Sequence, residues 1–298
     1  MRLCRSILVA LLVAHALARG AEAVADLESK LDAALAERWR RAVSLAELYE
    51  ASGDWQRAVH HYEMARRIRD DDTHVLTQLA RIYGEHDARE SLLSVYTALT
   101  RLQPTSIAWL RELGSTHFRL GHRDEAEAVW QKIVEVQPSK TYALRHLAEI
   151  YSSHKLFDRA IAACQQALAL SPNDEDIHQR LAEAYHSSGD QLAALAAISQ
   201  LAVGRSSFRS HRALQLRHNA FIELALPVAA RVDLETQLAK GPCSAADLAW
   251  TLARSLEGAG DPSEAVPFYR RVATEEPATP RGKAAAEAAV RLGRKPKD

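Results

Sequence analysis

An all-α fold, a right-handed α-solenoid of antiparallel helix hairpins, is what this sequence predicts. Three observations carry the prediction. Versions of one pentapeptide recur at a constant spacing of 34 residues: LAELY from 45, LARIY from 79, LGSTH from 113, LAEIY from 147 and LAEAY from 181. A fixed period of that size marks stacked supersecondary units. Each period reads as two helical stripes rather than one. Alanine and leucine dominate the composition while glycine, proline and aromatic residues are sparse, which favours helix over sheet.

The unit is legible in residues 141–174. Leu144, Leu147, Ala148 and Tyr151 fall at i, i+3, i+4 and i+7, the apolar stripe of a first helix. Ala160, Cys164, Ala167 and Leu168 form a second stripe, and Pro172 stops that helix. Between the stripes Gly53, Gly121 and Gly189 occupy one repeat position. Glycine suits the left-handed backbone that ends a helix, and Asp87 at the same position tolerates it. Lys155 suits it less well and predicts a turn built differently there. Ala58, Ala126, Ala160 and Ala194 are small where two helices must approach, while Leu92 implies a wider crossing. Four residues later come Tyr62, Tyr96 and Trp130, then the smaller Cys164 and Ile198. At helical spacing these aromatics are core pieces.

Leu-Ala or Leu-Gly, then tyrosine, glycine, alanine, an aromatic and proline within 34 residues resembles the tetratricopeptide repeat. The resemblance covers 39–208 as five tandem units. It resumes at 246–279, where Leu252, Ala253, Gly260, Ala265, Tyr269 and Pro277 hold the same positions. Residues 209–245 lack the signature and read as a degenerate helical pair, with Pro227 at a helix start; a hinge between two arrays is the alternative. Residues 24–38 are expected to form a separate helix capping the first unit. Residues 280–298 are expected to supply a C-terminal capping helix and a basic tail, RKPKD.

The first 23 residues read as a secretory signal peptide. MRLCR is basic, SILVALLVAHALA is apolar, and small-residue patterns permit cleavage after Ala18 or Ala23. This predicts an exported protein, periplasmic or extracellular, with no membrane span after cleavage and a membrane anchor if uncleaved. In an oxidising compartment Cys164 and Cys243 could pair, but they fall on separated units and are expected to lie too far apart.

Reactive chemistry is not encoded in any motif. Thirteen histidines invite a metal site, yet there is no H-E-x-x-H and no paired C-x-x-C. A G-x-S-x-G elbow and a phosphate-binding G-x-x-x-x-G-K-[ST] loop are missing as well. Acidic runs such as Asp71-Asp72 and Asp174-Glu175-Asp176 sit at helix starts, where carboxylates cap and complement the helix dipole. The reading is non-enzymatic, with no metal and no cofactor. With 38 basic and 38 acidic side chains the net charge is zero, which withholds the general attraction to phosphate that nucleic-acid binding needs.

The family resemblance implies a groove lined by the first helices, at repeat positions 2, 5, 9, 12 and 13. Mapped onto this chain, those positions include Arg81 in the second unit, Arg111, Ser115, Phe118 and Arg119 in the third, and Tyr142, Arg145 and Glu149 in the fourth. Arginine can fork onto a carboxylate, and an aromatic ring can stack. The expectation is a protein partner held through an acidic peptide segment or chain terminus. The competing reading is that these arginines pair with Glu47, Glu85, Glu149 and Glu183 inside the groove. The family's carboxylate-clamp subtype carries lysine and asparagine at positions 5 and 9, and this chain departs from it. The function implied is a protein–protein interaction scaffold supporting an envelope or secretion-linked assembly. The alternatives are a helper subunit of a larger enzyme complex and an RNA-binding helical-repeat protein.

Overall fold

The computed structural model describes the backbone of residues 2–201 and 211–293 and the side chains of 24–200 and 215–293. All regular structure among the described residues is helical, and the chain divides into two compact units, residues 1–136 and 137–298. The fold is all-α, a helical-repeat solenoid built from antiparallel hairpins.

The first unit holds α1 (Arg2–Ala51), α2 (Trp55–Ile68), α3 (Thr73–Glu85), α4 (Arg89–Leu102), α5 (Ile107–Arg119) and α6 (Arg123–Val136). Each helix packs against the next in sequence. Ala42, Ala46, Ala58, Tyr62, Ala65, Leu76, Leu79, Ile82, Leu92, Val95 and Leu99 join in one buried cluster. In α5 the backbone of Gly114 lies against the Trp130 indole, so close that an added Cβ would stand 2.2 Å from Nε1. Glycine is required there because the ring fills the space a side chain would take.

The second unit holds α7 (Lys140–Ser153), α8 (Phe157–Leu170), α9 (Glu175–Ser188), α10 (Gln191–Leu201), α11 (His211–Leu224), α12 (Val228–Ala239), α13 (Ala245–Gly258), α14 (Pro262–Glu275) and α15 (Pro280–Gly293). A core runs from Leu192 and Leu195 of α10 through Ala220, Phe221, Ala230 and Leu234 to Leu252, Tyr269 and Ala285. The helices of the signature-poor stretch thus contribute to that core. Arg271 of α14 reaches back across 81 residues to fork onto both carboxylate oxygens of Asp190, at 2.6 and 2.8 Å. Residues 202–210, where the fifth repeat and the degenerate pair meet, lie outside the described residues, as does the RKPKD tail.

The helix starts follow the sequence closely. Asp54, Asp72 and Asp174 each accept a hydrogen bond from the backbone N–H three residues on, and Ser244 forms a capping box with Asp247. Polar ties repeat as well. Tyr62 Oη donates to Glu50 at 3.1 Å, and the equivalent Tyr269 Oη donates to Glu257 at 2.6 Å.

Two expectations need correction. Residues 24–38 do not form a separate cap; they continue unbroken into the first repeat helix as part of α1. No glycine or proline interrupts 21–51, so nothing in the chain ends a helix before Gly53. The turn at Lys155 is not built differently either. Lys155 adopts φ +59° and Asp87 +51°, in the same left-handed region as Gly53, Gly121, Gly189 and Gly260 at +78° to +90°. The stacking of α7 on α8 overrides the local preference of lysine.

That override costs roughly 1 kcal/mol, the typical penalty of a side chain in left-handed backbone less the entropy glycine loses. Lys155→Gly is therefore expected to raise unfolding free energy by about 0.5–1 kcal/mol, and Gly121→Ala to lower it by about 1 kcal/mol. Urea titrations of the two variants against the parent chain measure both.

Candidate peptide-binding surface

The eight side chains assigned to the groove are divided between the two units. Arg81, Arg111, Ser115, Phe118 and Arg119 belong to the first, and Tyr142, Arg145 and Glu149 to the second.

In the first unit Arg81 is committed. Its guanidinium donates to Glu85 Oε1 at 2.8 Å, to Gln78 Oε1 at 3.3 Å and to Glu50 of the neighbouring α1. Burial works against its charge, but the Glu85 hydrogen bond and the Glu50 and Glu85 charges outweigh it and raise its pKa. Ser115 is buried. Phe118 is half-buried, its ring 5.8 Å from the Trp130 ring and tilted 36° to it. Arg111 is half-buried, and its carbonyl accepts the Trp130 indole N–H at 3.4 Å. Arg119 is exposed at the end of α5, where its guanidinium donates to Thr116 Oγ1 at 3.4 Å.

In the second unit the three expected residues share one face of α7, and Arg145 and Glu149 meet α9. Arg145 lies over the Tyr142 ring, 5.2 Å from its centroid, and pairs with Asp176 Oδ2 at 3.4 Å. Tyr142 stays 40% exposed, so its ring remains available to a ligand. Glu149 lies 3.5 Å from Arg180 Nη1, and Arg180 also donates to Asp176 at 3.0 Å. Burial opposes the charge of Arg180, and Asp176, Glu149 and Glu183 together outweigh it. Beside this lattice is a cavity of about 420 Å³ lined by Glu149, Ser152, Phe157, Arg180, Glu183 and Ser187.

The arginine–acid lattice answers the competing readings in part. Arg81 does pair with Glu85, and Arg145 pairs with Asp176, an acid outside the four expected partners. Arg180 was missed because it stands at repeat position 6, outside the family's groove positions. The signal that could have found it is spacing. Glu50–Arg81, Arg145–Asp176 and Glu149–Arg180 are all 31 residues apart, one repeat less one helical step of three.

Reactive side chains are withdrawn from solvent. Cys164 and Cys243 are both free and buried, and burial pushes the Cys164 thiol up to about 12. Tyr83 and Tyr269 are pushed up to about 12 as well, first by burial and then by Glu63 and Glu257. Among the described residues no three His, Cys, Asp or Glu side chains gather to hold a metal ion. The α7–α9 surface offers charged forks, the exposed Tyr142 ring and a polar cavity.

Tetratricopeptide-repeat family models match residues 42–76 and 111–175. Those two stretches therefore have the character of tetratricopeptide repeats. No curated protein matches it. Among solved structures it is similar to a tetratricopeptide repeat protein from Parabacteroides merdae, with 14% identity over 87% of this chain and 100% of that one and a TM-score of 0.45. It is similar to MamA from Desulfovibrio magneticus RS-1, with 16% identity over 61% and 96% and a TM-score of 0.40. It is also similar to PilW, a type IV pilus biogenesis factor, with 14% identity over 83% and 98% and a TM-score of 0.35.

A thiol held in its neutral form and sealed from solvent does not react. In the native chain neither Cys164 nor Cys243 should take up iodoacetamide at pH 8, and both should do so in urea; peptide mass spectrometry distinguishes the two cysteines. Rapid native labelling of Cys164 would contradict the burial described above.

Proposed function

We propose that this protein is a non-enzymatic interaction scaffold that holds a partner protein along the exposed faces of its first helices. The observation that carries this is the division of labour within each repeat. Most apolar positions of the internal repeats are consumed by packing, and the polar chemistry left outside consists of forks, rings and carboxylates. Tetratricopeptide repeats generally serve protein–protein interaction, and this surface has the composition such a role needs.

The partner we favour presents an acidic peptide segment or a chain terminus. In the first unit, taken by itself, the exposed Arg119 at the end of α5 is a candidate contact for such a carboxylate. In the second unit, taken by itself, Arg145 and Tyr142 on α7 are the anchor, where an incoming carboxylate competes with Asp176 for the guanidinium while an apolar or planar group stacks on the ring. The protein is exported and supports an envelope or secretion-linked assembly. The support for export is the basic start, the apolar run and the two A-x-A patterns. The backbone there is the first part of α1, its side chains lie outside the described residues, and no helix among the described residues is long and apolar enough to cross a membrane.

Crosslinking of the native protein in its own envelope fraction identifies the partner, and N-terminal sequencing of the same preparation checks export. A start at residue 19 or 24 is expected. Titrating the identified partner then tests the surface. Arg145→Ala should weaken binding about tenfold or more, as loss of charge-assisted hydrogen bonds to a carboxylate does. Unchanged affinity would remove this surface from the account while leaving the fold intact.

A further inference from the structure

The first repeat lacks what the later ones have. At repeat position 7, Leu79 is 0% and Leu113 is 7% exposed, whereas Leu45 is 40% exposed. Three residues on, Ile82 is 2% and Thr116 is 0% exposed, whereas Leu48 is 66% exposed. Within the unit α3 packs on α2 and α5 on α4, so the internal positions are covered by the hairpin before them. Among the described residues no hairpin packs on this face of α1. The same face continues toward the N-terminus, where Leu27 and Leu31 are 66% and 59% exposed. Residues 27, 31, 34, 38, 41, 45 and 48 alternate in steps of four and three, the seam one helix offers another. The seam is about 31 Å long.

We infer that this seam on α1 is a docking site for an amphipathic helix of a partner protein that carries carboxylates at the middle of its apolar stripe. The form of the occupant follows from the repeat, since a helix is what covers the equivalent positions in α3 and α5. Its charge follows from the centre of the seam. Arg38 and Arg41 interrupt the apolar side chains and are both exposed. Arg41 reaches Glu37 at 3.0 Å on its own helix, and Arg38 has no ion pair among the described residues. Two guanidiniums between two apolar ends select a helix with acids between two apolar ends. A second copy does not fit this chemistry. α1 against α1 sets arginine seams against each other, and the apolar groove between α14 and α15, lined by Ala273, Ala289 and Val290, is itself bordered by Arg270. This seam is separate from the surface proposed above, so each can fail without the other.

The test uses the full chain and a fluorescein-labelled synthetic helix of about 21 residues, roughly six turns, with leucines at heptad positions and glutamates at its centre. Saturable binding is expected by fluorescence anisotropy. Leu48→Glu should weaken it at least tenfold without shifting the melting temperature, because Leu48 is already exposed. Arg38→Glu with Arg41→Glu should weaken it similarly and should gain affinity for the same peptide carrying lysines in place of glutamates. Failure of the wild-type chain to saturate, or indifference to Leu48→Glu and to the charge exchange, would overturn the inference. So would sedimentation showing that the chain self-associates through this face, with a dimer that Leu48→Glu abolishes.

Discussion

The structure depends on one constraint: a two-helix hairpin cannot bury its own apolar face, so each hairpin must lean on a neighbour. Everything periodic in the sequence serves that contact. The small residues Ala58 and Ala126 let two helices close on each other, and Tyr62 and Trp130 fill the wedge beyond them. A left-handed residue reverses the chain between the two helices of each hairpin. Because the contact is nearest-neighbour, the fold tolerates a break in pattern, and α11 and α12 join the second unit's core without the signature letters.

Polar chemistry obeys the same geometry. Tyrosine–glutamate bonds recur at a separation of 12 residues in the first and last repeats. Tyr83–Glu63 and Tyr185–Gln165 recur at 20, tying one hairpin to the next. Arginine–carboxylate pairs recur at 31 along successive first helices. Most are partly exposed, where such pairs contribute at most about 1 kcal/mol each. Their role is better described as fixing register between hairpins whose apolar contacts alone would permit sliding. A surface already laced with such pairs binds by exchange: a partner's carboxylate replaces one the protein supplies itself.

The helices, their starts and the core tyrosines were legible in the sequence because each is set by residues a few positions apart. What was not legible depends on neighbours. Leu45 and Leu79 are the same letter at the same repeat position, yet one is exposed and the other sealed, since only the stack decides. Ser115 looked like a groove residue by position and is buried beneath its surroundings. Arg180 looked like none and sits at the centre of an ion-pair lattice and a cavity wall. Lys155 takes a glycine's conformation because the hairpin demands it. The boundary expected at residue 38 had no breaker to enforce it, so the helix ran on.

The repeat thus divides its residues into those that hold the neighbour and those left to hold something else, and the binding role rests on that division. Its most direct test compares one letter in two contexts by equilibrium unfolding. Leu79→Ala removes a side chain covered by the preceding hairpin and should cost about 2–5 kcal/mol. Leu45→Ala removes the equivalent side chain where it stands exposed and should cost less than about 1 kcal/mol. Equal losses at the two positions would contradict the account, because burial by the neighbour would then not be what stabilises the repeat.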